Sequence, residues 1–106
     1  MVSSIIAKVE NMEVRKATVE ERTIPAKEEG KKDITYRYIE VHFDDENLDR
    51  HVFKDKQVEL HENLYKRGDV GTLYLEIITE DVSKKDTTFI QEKTKVLIHD
   101  FVSNKE

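Results

Sequence analysis

At 106 residues, with a net charge of −5 and no cysteine, the chain has room for one domain and one core. It carries no disulfide framework, no thiolate nucleophile and no cysteine-based zinc site. The acidic balance argues against a protein whose main task is neutralising phosphates, while leaving room for a local basic stripe.

Charged residues reach 39%, but Val, Ile, Leu, Phe and Tyr cluster in runs, which separates the chain from the disordered class. The apolar stretch Met1 to Ala7 is too short for a signal peptide or a spanning helix, so the chain as it stands reads as soluble and cytoplasmic. From Ile5 to Val19 the pattern alternates through Ile5, Ala7 and Val9, then changes phase so that Met12 and Val14 carry it. A period of two that slips by one residue predicts a long strand with a bulge near Asn11. Residues 20–33 are charged and hold the only Pro, and read as a solvent-facing loop.

Ile34 to Asp44 is the clearest strand: Ile39, Val41 and Phe43 face the core, with Tyr36, Tyr38, Glu40 and His42 on the other face. The acidic turn 44–47 returns it through Leu48 to Phe53 as a hairpin. Lys56 to Lys66 changes to a helical period, with Asp55 as N-cap and Gly68 as the stop. Gly71 to Ile78 is a further strand, Asp81 to Asp86 a polar turn, and Thr87 to Gln91 and Thr94 to Val102 two more strands.

The whole predicts a mostly β chain: a single barrel-like domain over 1–106, a small barrel or rolled antiparallel sheet of five or six strands. The general class is SH3-like or OB-like (oligonucleotide/oligosaccharide-binding), with one short helix. The expected core is Val9, Ile39, Val41, Phe43, Leu64, Leu73, Leu75, Ile77, Val96 and Ile98.

Chemistry-bearing patterns are sparse. His42, His51, His61 and His99 lie far apart in sequence, and only strand pairing across the hairpin would bring His42 to His51, so no metal site and no cofactor are expected. The acidic turn lacks the central Gly and distal Glu of a calcium-binding loop. Arg67-Gly68-Asp69 matches an adhesion tripeptide but falls where a helix ends and a strand begins, which accounts for its residues. The serines lie near the termini or in a polar turn with no elbow motif, and the carboxylates are dispersed, so an enzyme is not expected.

What stands out is the outer face of the Ile34–Asp44 strand, where Tyr36, Tyr38 and His42 form a candidate interaction surface. The leading expectation is a non-enzymatic protein-interaction module, binding through that face or an exposed strand edge, with a homodimer through an edge strand among the arrangements. Weak single-stranded nucleic-acid binding on the same face is second, held back by the net charge.

Three stretches, Ala7-Lys8-Val9, Thr35 to Phe43 and Gly68-Asp69-Val70-Gly71-Thr72-Leu73, carry a resemblance. In them the chain resembles the bacterial uncharacterised family catalogued as domain of unknown function 2500. The resemblance implies an early strand, a tyrosine-containing strand ending in Phe, a hairpin, a short helical segment and a GD-x-G-x-L turn into the next strand. Members typically carry an N-terminal membrane segment, which would place the domain outside the cytoplasm if one precedes Met1. The family has no assigned activity, so the resemblance implies a fold and transfers no functional residue.

Overall fold

A computed structural model describes residues 2–83 and 90–104. It contains five strands and one short helix: β1 (Val2–Ile24), β2 (Ile34–Asp44), β3 (Arg50–Asp55), α1 (Val58–His61), β4 (Val70–Ser83) and β5 (Ile90–Ser103). The chain is therefore mostly β, built as one sheet. Among the described residues no helix is long and apolar enough to cross a membrane.

β1 organises the sheet. Its 23 residues would run about 75 Å if straight, but the molecule's longest dimension is 53 Å. The strand must bend, and it does so at two register shifts, between Val9 and Met12 against β4 and between Val14 and Lys16 against β2. Asn11 takes φ 58° at the first of them, a left-handed position that Asn tolerates better than most residues. The bulge expected near Asn11 is present. It turns the first half of β1 onto β4 and the second half onto β2. β2 pairs on to β3, β4 pairs on to β5, and a single parallel bridge between Lys54 and Leu97 joins β3 to β5. The strand order β1–β2–β3–β5–β4 thus returns to β1. That parallel join departs from the purely antiparallel sheet expected.

The core is Met12, Val14, Ile39, Val41, Phe43, Val58, Leu73, Leu75, Ile98 and Phe101. Phe43 is its hub, with ring centroids 5.6 Å from Phe101, 6.2 Å from Tyr65 and 6.3 Å from Phe53. Of the expected core, Val9 and Leu64 pack at its margin and Val96 is 39% exposed. Val96 and Ile77 belong to a cross-strand row, Ile5–Ile77–Val96, that lies one step beyond the row Ala7–Leu75–Ile98 that enters the core. The radius of gyration, 16.8 Å, exceeds the roughly 13 Å of a compact chain of this length. Paired strands running past the core account for the difference.

Three local expectations are corrected. Residues 20–24 are not loop: Glu20 to Ile24 pair with Tyr38 to Ile34, so the connection is only 25–33. The charged side chains there alternate along a two-stranded ribbon whose faces are both solvated, which removes the apolar signal of a strand. The helix is a single turn with Gln57 as N-cap, and Leu60 is 72% exposed, because a segment this short is held by what it packs on and not by propensity. The strand from Thr94 continues back to Ile90, absorbing the end of the segment read separately as Thr87 to Gln91, whose start lies outside the described residues. The turn at Asp81 to Asp86 is likewise only partly described, with β4 continuing to Ser83.

Gly68 adopts φ 91°, a position that penalises any Cβ, and its N–H donates to Val14 O at 2.8 Å. Val14 N–H in turn donates to Asp69 O at 2.8 Å, so this turn docks on the second bend of β1. Asp69 is buried, and the Arg67–Asp69 tripeptide is a structural corner.

Candidate interaction surface

Asp55 fixes the geometry of the surface. It ends β3 with no solvent exposure, and its carboxylate accepts from Gln57 N–H at 2.8 Å and pairs with His61 Nδ1 at 2.7 Å. The Tyr65 hydroxyl donates to the same carboxylate. Asp55 therefore starts α1 through the Gln57 amide and ties down both the end of that turn and the segment after it. Because side chains alternate along a strand, an inward Asp55 sends Lys54 outward, and Lys56, the first residue past β3, also reaches that side.

The lysines meet the tyrosines there. Tyr36 and Tyr38 stand two residues apart on β2, ring centroids 5.9 Å apart and tilted by 38°. Lys54 Nζ lies 4.9 Å from the Tyr38 ring centre and Lys56 Nζ 5.7 Å from that of Tyr36. Each ammonium is within cation–π range of a ring face. A hollow of about 410 Å³ opens beside them, where Tyr36, Lys54 and Lys56 face Lys95 and Val96 of β5. Lys56 also borders two adjoining hollows, one reaching Arg37 and the other Glu76 and His99. The charged side chains lining the three are Arg37, Lys54, Lys56 and Lys95 against Glu59 and Glu76. On β2 itself Glu40 lies opposite Lys54, and β1 sets Glu20 opposite Tyr38 and Arg22 opposite Tyr36. The face is thus basic toward β3 and β5 and of mixed charge toward β1.

Of the sequence-predicted surface residues, Tyr36 and Tyr38 come together and His42 stands apart. Glu40 separates it from the rings, and its Nε2 lies 4.0 Å from the Glu40 carboxylate. The hairpin does not join His42 to His51 either: His42 sits opposite Val52 and His51 opposite Phe43, on different faces of the sheet. His51 stacks on Phe53 with ring planes 2° apart and bonds Asp45 Oδ2 at 2.9 Å. That bond, aided by the Asp49 and Asn47 amides, holds the Asp45 carboxyl below its ordinary range and builds the acidic segment into a hairpin turn. Lys54, Lys56 and Lys95 escaped sequence reasoning. For Lys54 and Lys56 the signal was the Lys-Asp-Lys run at the end of β3, legible once Asp55 is known to point inward, whereas Lys95 arrives from β5 through strand pairing.

Burial and the hydrogen bond to Asp55 push the Tyr65 phenol far above its ordinary value. A raised folded value leaves the stabilisation intact below about pH 10 and removes it as pH climbs further, since only the unfolded chain then sheds the proton. Tyr65→Phe is expected to cost about 1 kcal/mol at pH 7 and to flatten the loss of stability above about pH 10. Urea unfolding at neutral and alkaline pH checks both.

No protein-family model, no curated protein and no solved structure matches the chain.

Proposed function

We propose that the chain is a non-enzymatic binding module built as a small barrel of the OB type, and that it takes single-stranded nucleic acid across the β2–β3 face. The OB assignment over an SH3-like one is supported by the order β1–β2–β3–β5–β4 returning to β1, with α1 between β3 and β4. The observation that carries the ligand reading is the placement of the Lys54 and Lys56 ammonium groups against the Tyr38 and Tyr36 rings beside one hollow. Rings offer sequence-tolerant stacking to unpaired bases, and Lys54, Lys56 and Lys95 offer a track for phosphates. The chain's net charge ranks nucleic acid second when spread over the whole sequence. Around the hollow beside the rings the charged lining residues are Lys54, Lys56 and Lys95, and this local balance favours the opposite ranking for this surface.

A protein partner is the second reading, favoured by the exposure of Val52 and Val96 at the rim of the hollow. Kinship with the domain of unknown function 2500 belongs to the same proposal. It is supported by the separate structural tasks of Gly68 and Asp69 in the turn it shares.

The test is fluorescence anisotropy of a labelled oligothymidylate. Binding is expected at low salt, with log K falling against log salt at a slope of about −0.7 for each phosphate contacted. Tyr36→Ala and Tyr38→Ala should each cost about 1–3 kcal/mol. Absence of binding at low salt would remove nucleic acid and leave the protein partner.

A further inference from the structure

We propose that the chain pairs with a second copy of itself along the free edge of β1, from Ser3 to Val9. Before Glu13 β1 has no strand but β4 beside it among the described residues. Its other edge there presents backbone groups to solvent, the usual template for adding a strand.

The side chains on this edge narrow what can cover it. Ile5 is 64% exposed and Ile6 50%. As strand neighbours they point to opposite faces of the sheet, so no partner docked on one face touches both. A strand laid alongside does. On one face Ile5 begins the row Ile5–Ile77–Val96, and the next row, Ala7–Leu75–Ile98, runs into the core. An added strand would extend both rows without a break.

The sequence of the edge selects a copy of itself as that strand. In an antiparallel pairing with its two-fold at Ile6, Ile6 meets the partner copy's Ile6, Ile5 meets Ala7, Ser3 meets Val9 and Ser4 meets Lys8. Each apolar residue from Ile5 to Ala7 then finds an apolar neighbour, and each lysine faces a serine. Moving the two-fold to Lys8 would set two ammonium groups opposite each other, which the pairing disfavours. Lys8 makes an ion pair with Glu10 of its own strand at 3.4 Å. The bend at Asn11 turns β1 away beyond Glu10 and limits the pairing to this segment. A contact with its own two-fold closes at the dimer and does not propagate.

The chain has no cysteine, so one introduced thiol reports on one site. In this register the Ile6 Cα atoms of the two copies lie about 4.5–5.5 Å apart, inside the range a disulfide spans. Ile6→Cys is expected to convert to a disulfide-linked dimer under mild oxidation, while Leu48→Cys, at an 81% exposed turn position, stays a monomer. Sedimentation equilibrium should show a wild-type dimer and an Ile6→Lys monomer with an unchanged circular dichroism spectrum. A wild-type monomer at about 100 μM, an Ile6→Lys variant that sediments as wild type, or equal cross-linking at position 48 would each overturn the proposal.

Discussion

Asp55→Ala is expected to lower stability by about 3–5 kcal/mol, a large share of what a domain of this size has. The Asp55 side chain has no contact with solvent, and three donors converge on it: the Gln57 amide, His61 Nδ1 and the Tyr65 hydroxyl. Alanine leaves all three without an acceptor where water does not reach. An unmade buried hydrogen bond costs more than a made one contributes. Asp55→Asn should lose about 1–3 kcal/mol, since an amide oxygen still accepts while its nitrogen is turned toward another donor. The double variant with Tyr65→Phe should fall short of the sum of the single losses, because both changes dismantle one network. Urea unfolding of the parent and these variants decides it, and an Asp55→Ala variant within about 1 kcal/mol of the parent would refute this account. The Asp55 variants should also weaken oligonucleotide binding, since the inward Asp55 is what sets Lys54 and Lys56 facing the tyrosines.

Gly71→Ala is the second substitution with a large expected effect, and the reason is contact, not backbone conformation. A Cβ at Gly71 would stand 2.2 Å from the Val102 carbonyl oxygen and 2.8 Å from Ser103 Cα. Gly71 pairs with Met12 of β1 and with Ser103 of β5, so it is flanked by a strand on each side. Backbone atoms held in a ladder cannot step aside as a side-chain tip can. The expected loss is about 3 kcal/mol, the upper part of the overpacking range. Gly68→Ala provides the control: nothing lies within 4 Å of its Cβ, and only the φ of 91° opposes the change. That strain costs about 1–2 kcal/mol. Thermal unfolding in parallel should rank Gly71→Ala well below Gly68→Ala, and the reverse order would contradict the packing described.

What could be read from the sequence follows from where each signal is generated. Ile39, Val41 and Phe43 alternate cleanly because β2 has one buried and one solvated face in that stretch, so period alone placed them. The phase change around Asn11 survived because a bulge leaves a mark in one strand's own sequence. Phe101 did not reveal itself in the same way. The register between β4 and β5 shifts between Tyr74 and Leu75, which lets Ile98 and Phe101 both face inward at a spacing alternation forbids. Residues 20–24 carry no apolar period because both faces of their ribbon are wet. The candidate surface was half legible. Tyr36 and Tyr38 share one strand, whereas their lysine partners arrive from β3 and β5 through pairings no local pattern encodes.

The single bridge between Lys54 and Leu97 has a mechanical consequence. Every other join in the ring is a ladder of several pairs, so β3 and β5 form the seam along which the sheet opens first. The hollow that brings Lys54 and Lys56 together with Lys95 straddles that seam. A ligand laid across it acts as a staple, holding shut the one boundary the chain leaves thinly stitched, and amides on both sides should exchange more slowly when it is bound.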